Sequence, residues 1–276
     1  FRLLVKDESM VKKDEIDNIR KTSRKLYATQ TDIEVPVSLE FRRLLLASGN
    51  GAHPAKTAKN YPNFEQIRDK DGYKNVLYTN MIEEGTLTQL IPTLRKVFDE
   101  KIVNQFSEQQ LVRGTSLRVV AHEENHPFRR FRDTPLEELK ASVNGIKAII
   151  ESGQFAEEDI NAVLLTEIGA ALYGRSKMVE ARMHSDTNTQ TGLEGYYKGD
   201  TIFMNYLIEN GGLVINDKGQ VIEVDFKLLK ENSIKFADYL EKAREGEQQI
   251  TIPKIYEDFN NERVWDNFRV LNTSEV

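Results

Sequence analysis

The chain has 276 residues, 39% hydrophobic and 30% charged, with a formal net charge of -6, which is enough apolar material for one large domain or two small ones. The acidic balance argues against a nucleic-acid partner, which calls for a basic face, and no run approaches the roughly 20 apolar residues that cross a bilayer. There are no cysteines, so disulfides and thiolate sites are excluded and any metal must be held by His, Asp or Glu.

The chain opens Phe1-Arg2-Leu3-Leu4 without a methionine, the pattern of a fragment or a processed form. The composition is that of a soluble protein. A cytoplasmic setting is favoured, and a periplasmic one stays open if a leader was removed. No motif specifies an oligomeric state. Three parts are expected: a helical or irregular N-terminal segment over 1–60, a helical domain over 61–250, and a polar C-terminal tail over 251–276.

Val11, Ile16, Ile19 and Leu26 have helical spacing within a strongly charged stretch. Residues 36–75 are rich in turn formers, such as Gly49-Asn50-Gly51, His53-Pro54 and Lys70-Asp71-Gly72, and predict irregular structure. Asn75 to Thr79 reads as a short strand. Leu87, Leu90, Leu94 and Phe98 form a helical stripe over 85–105, with a kink or a start expected at Pro92. Ser107 with Gln110 three residues on predicts a capping box and a helix over 107–126, stopped by Pro127. Thr134-Pro135-Leu136-Glu137 has the chemistry of a helix start with Thr134 as N-cap. Leu136, Leu139, Val143, Ile146 and Ile150 continue that helix. Further helices are predicted over 157–183, 200–210 and 226–245. A hairpin turning at Asp217-Lys218-Gly219 separates the last two. Trp265 is expected to pack against the body. The fold class is mainly α with one or two small hairpins.

Four histidines occur, His53, His122, His126 and His184, and two of them stand four apart in His122-Glu123-Glu124-Asn125-His126. On a helix that spacing puts both imidazoles on one face, about 5–6 Å apart at Cβ, where they can share one Zn²⁺. Glu123 can then act as general base on a water activated by the metal. The bland alternative is a polar helix end that happens to carry two histidines, since Glu124 and Asn125 are polar where apolar residues are usual. A third ligand is needed. Glu137-Glu138 follows closely, and Glu138 is the freer of the two if Glu137 is spent on a capping box. Both glutamates could instead serve the helix dipole. His184 and His53 are weaker third-ligand candidates. Arg129, Arg130 and Arg132 form a basic patch able to hold a substrate carboxylate, or simply a solvated turn.

Several blocks, in order, resemble the dipeptidyl-peptidase III family of zinc metallopeptidases, especially its bacterial and plant-type relatives. They are Lys74-Asn75-Val76-Leu77-Tyr78-Thr79-Asn80-Met81, Val119 to His126, Leu136-Glu137-Glu138-Leu139-Lys140-Ala141, Glu194 to Gly212, and Val224-Asp225-Phe226. The resemblance spans about residues 60–250. It implies a helical zinc-peptidase catalytic lobe facing a second lobe, one Zn²⁺ and a peptide substrate. It implies His122, His126 and Glu138 as ligands, Glu123 as general base, and Glu137 as the partner that orients a ligand histidine. Two departures stand out. Ser142 replaces the last acidic residue of the second motif. Tyr196 stands where the family carries a histidine that stabilises the reacting carbonyl, a task a tyrosine hydroxyl can also perform. The competing readings are a catalytically degenerate member acting as a binding or interaction module, and an unrelated helical protein with a chance motif.

Overall fold

The described residues of the structure, a computed structural model, are 2–7, 10–27, 37–47, 58–61, 73–127, 133–245 and 252–271. Helix α1 (Lys13–Tyr27) buries Ile16, Ile19, Ser23 and Tyr27 on one stripe. Its acidic first turn and basic last turn oppose the backbone dipole. The 1–60 segment is not only helical or irregular, however. Strands β1 (Arg2–Lys6), β2 (Val37–Ala47), β3 (Ala58–Tyr61) and β4 (Tyr73–Tyr78) form one sheet in the order β1-β2-β4-β3. β2 pairs parallel with β4, and the two outer pairs are antiparallel. The strands in 36–75 were masked by the surrounding turn formers, and their backbone partners lie far along the chain: Leu3 faces Leu46, and Leu39 faces Asn75. The turn formers Gly49-Asn50-Gly51, His53-Pro54 and Lys70-Asp71-Gly72 lie outside the described residues.

The helical stripe expected over 85–105 is broken into α2 (Thr79–Gly85), a π-helical stretch (Thr86–Leu90), α3 (Ile91–Val97) and the short α4 (Glu100–Val103). Pro92 supplies no N–H to the preceding turn, and the helix widens there. Threonine hydroxyls bond to the backbone along this stretch: Thr86, Thr88 and Thr93 donate to the carbonyls of Ile82, Glu84 and Gln89 at 2.7, 2.7 and 2.8 Å.

Helix α5 (Glu108–Asn125) begins as its sequence requires. Gln110 N–H donates to Ser107 Oγ at 3.2 Å, and Ser107 N–H donates to Gln110 Oε1 at 2.8 Å. Helix α6 (Thr134–Ser152) is capped by Asp133, not Thr134: Leu136 N–H donates to Asp133 Oδ1 at 3.1 Å. Helix α7 (Glu157–Met183) follows. Helix α8 (Thr187–Asn210) starts about four turns earlier than residue 200 and so carries Tyr196 on a helix. Asp186 caps it, accepting from Thr189 N–H at 3.0 Å. The hairpin β5 (Leu213–Ile215) and β6 (Val221–Val224) turns where expected. Gly219 is required in that turn, with φ +83° and a Cβ position only 2.4 Å from the Arg269 nitrogen.

Helix α9 (Phe226–Glu245) closes the bundle. The tail is more than polar. Helix α10 (Ile252–Phe259) and a 3₁₀ segment (Glu262–Leu271) bury Ile255, Val264, Trp265, Phe268 and Leu271. Trp265 is 1% exposed and donates Nε1–H to Thr201 Oγ1 at 3.2 Å. No described helix is long and apolar enough to cross a membrane.

α5 runs between α6 and α7, and two glycines set the approach. A Cβ on Gly114 would lie 2.8 Å from the Ala162 backbone of α7, and one on Gly145 would lie 2.9 Å from the Ala121 backbone of α5. Ala121 precedes His122, so this contact sets how far α6 stands from the histidines. Gly145→Ala is expected to force the two helices apart and cost about 1–3 kcal/mol, read as a lowered urea midpoint. An unchanged midpoint would mean the helices can slide freely at this contact.

Candidate metal centre

The helix of α5 ends at Asn125, yet His126 keeps helical dihedrals (φ -59°, ψ -35°). Pro127 therefore does not disturb the four-residue register, and His122 and His126 share a face. Their rings meet edge to face, with centroids 4.6 Å apart. The two Nε2 atoms are 3.0 Å apart. Glu138 Oε2, from the first turn of α6, lies 3.2 Å from His122 Nε2 and 3.7 Å from His126 Nε2. This oxygen is buried, and the two imidazoles are its near neighbours. Among the described residues, His122, His126 and Glu138 form the one group of histidine and carboxylate donors close enough to share an ion.

These separations test the fit to a metal. Tetrahedral Zn²⁺ with bonds of about 2.0–2.1 Å spaces its ligand atoms about 3.3–3.4 Å apart. Distances of 3.0, 3.2 and 3.7 Å straddle that value. The donor chemistry fits as well. His126 Nδ1 is 3.1 Å from Glu137 Oε1, an acceptor, so Nδ1 carries the proton and a neutral ring leaves Nε2 as a lone pair facing the centre. His122 Nδ1 lies 3.0 Å from Ser142 Oγ, which can accept in the same way. With both rings neutral in these tautomers, two lone pairs and a carboxylate oxygen converge, an arrangement that a cation or a shared proton would stabilise.

The outer groups settle two points the sequence left open. Asp133 caps α6, so Glu137 is not spent on the cap and reaches His126; it also accepts from Lys140 Nζ, a fully buried ammonium, at 3.0 Å. Ser142 stands beside His122 and offers its hydroxyl to Nδ1. Such partners orient ligand rings and are usually worth about 10–100-fold in metal affinity. Glu137→Gln is expected to weaken zinc binding about tenfold, measured by competition with a chromophoric chelator. Unchanged affinity would remove Glu137 from the centre's support.

Glu123 is 9% exposed and its Oε2 is buried without a partner. Burial pushes its carboxyl up to about 7; the nearby His122 pulls it down, while Glu138 and Glu124 raise it. Burial opposes protonation of His122, but Glu138 beside it, then Glu123 and Glu167, outweigh this and raise its pKa. Glu138 is the reverse: burial would raise it, and the two histidines hold it below its ordinary value.

Tyr196 is 54% exposed as a residue. Desolvation of its hydroxyl, then the charges of Glu138, Glu123 and Asp200, raise its pKa. Arg129 and Arg130, with Arg132 and His53, lie outside the described residues. His184 is exposed beyond the end of α7 and belongs to no metal-binding group among the described residues.

Three nearby groups escaped the sequence reading. Arg118, one turn before His122, donates to Glu167 of α7 at 3.0 Å. Asp200, one turn after Tyr196, is raised to about 8 by burial and by Glu167, against the pull of Arg118 and His122. Arg20 of α1 pairs with Glu124. The four-residue steps from His122 and from Tyr196 could have found the first two; nothing local points to the third.

No family model matches the sequence, and no curated protein matches it. Solved structures do match. DPP III from Caldithrix abyssi superposes with a TM-score of 0.77 at 18% identity, over 98% of this chain and 53% of that one. Dipeptidyl-peptidase III from Corallococcus sp. strain EGB gives 0.72 at 17% identity, over 99% of this chain and 53% of that one. The chain therefore spans about half the length of the solved structures it matches. The likeness read from the ordered sequence blocks is borne out at the level of architecture: this chain has the mainly helical fold of about half of a dipeptidyl-peptidase III.

Proposed function

We propose that this chain carries the catalytic centre of a zinc-dependent peptidase. The observation that carries the reading is the convergence of His122 Nε2, His126 Nε2 and the buried Glu138 Oε2 within 3.0–3.7 Å of one another. These three residues would hold one Zn²⁺. When bound, the ion supplies Lewis acidity, lowering the pKa of a water toward about 7 and polarising a carbonyl.

The chain's own residues do the rest. Glu123, buried with a free Oε2, takes the proton of the attacking water and returns it to the amine that leaves when the C–N bond breaks. The Tyr196 hydroxyl donates to the oxygen that becomes negative as water adds to the carbonyl. Its raised pKa keeps it protonated for that task. Glu137 and Ser142 keep the imidazoles turned inward. Arg129 and Arg130 take a carboxylate of the peptide substrate.

The direct test loads purified protein with zinc and follows cleavage of a peptide library. The reading requires one equivalent of zinc and hydrolysis that a chelator abolishes and zinc restores. Protein that takes up no zinc would sink it. A second reading, a metal-holding module without peptidase action, draws on the half-length match and on Tyr196. It requires zinc uptake with no hydrolysis.

A further inference from the structure

The last turn of α5 carries the proposed base and the second imidazole, and it is a weak place in the helix. The helix stops at Asn125 and Pro127 follows, so its final carbonyls lack the next turn's N–H donors, and such ends fray. Yet this turn must hold two Nε2 atoms 3.0 Å apart. Contacts from other elements grip it. Asn75 of β4 donates to the Glu123 carbonyl at 3.4 Å, and Glu137 of α6 holds His126.

The strongest grip is on Glu124, the residue whose charge looked out of place between base and ligand. Glu124 is 1% exposed. Arg20 of α1 meets both its oxygens, Nε to Oε2 at 2.7 Å and Nη2 to Oε1 at 2.8 Å, across 104 residues of sequence. A two-pronged guanidinium–carboxylate pair fixes direction as well as charge, which a single contact does not. Asn125, 0% exposed, bonds back to the Ala121 carbonyl at 2.8 Å and completes the turn. A leucine at 124 would fill the space but would not set the rotation of the turn.

We propose that Arg20 and Glu124 are positioning residues for the metal centre: α1, through this pair, sets the rotation of the last turn of α5 and so the convergence of His122 and His126. The inference rests on the metal reading above. It makes α1 part of the working site although it supplies no ligand.

The test compares wild type with Arg20→Met, Arg20→Lys and the double variant Arg20→Met/Glu124→Leu. The double variant leaves no unpaired buried charge and guards against simple misfolding. Zinc affinity is measured by chelator competition, the visible spectrum with Co²⁺ in place of zinc, and histidine ring resonances by NMR in metal-free protein. Arg20→Met and the double variant are expected to bind zinc at least tenfold more weakly, with a shifted cobalt band and displaced His122 and His126 resonances. His184 should not move, and Arg20→Lys should fall between. A folded double variant with wild-type zinc affinity and wild-type histidine resonances would overturn the proposal and leave the pair a folding contact. If wild type binds no zinc, the metal reading fails on its own. The metal-free histidine resonances then still decide whether the pair sets the rings.

Discussion

His122→Ala is expected to strip the protein of zinc at concentrations where wild type is saturated. One of three converging donors disappears, and the remaining two, His126 Nε2 and Glu138 Oε2, stand 3.7 Å apart with nothing to complete the centre. Loss of an outer partner already costs about 10–100-fold in affinity, so loss of a direct ligand should exceed about a hundredfold. Glu138→Gln should behave the same way. It keeps the shape of the side chain but presents a neutral amide where the buried site holds a carboxylate with a lowered pKa. Metal content after dialysis against trace zinc, read beside the far-ultraviolet circular dichroism of each variant, checks both. Stoichiometric zinc in a folded His122→Ala protein would place the ion elsewhere.

Glu123→Gln is the complementary change. It removes the proton acceptor and leaves every proposed ligand in place, so zinc content should be unchanged. Peptide hydrolysis should fall by about a hundred- to ten-thousandfold, the range general-base catalysis contributes. Because Glu123 Oε2 has no partner and its carboxyl is raised to about 7 by burial, a neutral amide there relieves a buried charge and should not destabilise the fold. Equal measurable rates in wild type and Glu123→Gln would remove Glu123 from the chemistry, whereas zinc uptake without hydrolysis by either would favour the metal-holding module.

The two outcomes separate architecture from activity. At 17–18% identity, the match to solved structures speaks for architecture. The chemistry depends on side chains that only this chain can supply, and two of them differ from the family pattern. Ser142 turns out to contact His122 at 3.0 Å, so that departure exchanges one partner for another. Tyr196 feels the charges of Glu138 and Glu123, which raise its pKa, and is 54% exposed.

The sequence by itself determined the local features. The capping box at Ser107, the start of α6 near Pro135, the hairpin at Gly219 and the four-residue histidine step all arise from bonds between residues a few positions apart. A local pattern is enough to specify such bonds. The tertiary structure decided everything that needs a distant partner. It drew strands out of a turn-rich stretch by pairing β2 with β4, and it buried a tail that reads as polar by seating Trp265 on Thr201. It also moved the cap of α6 to Asp133, one residue before the expected one, and so freed Glu137 for His126. At the motif itself, spacing put two imidazoles on one face. Gly145, against Ala121, lets the helix that carries Glu138 pack closely on the helix that carries the histidines. The charged Glu124, which argued against a buried zinc helix when read alone, is neutralised by an arginine 104 residues away. A buried charge is tolerable only with its partner, and no local pattern names a partner that far off.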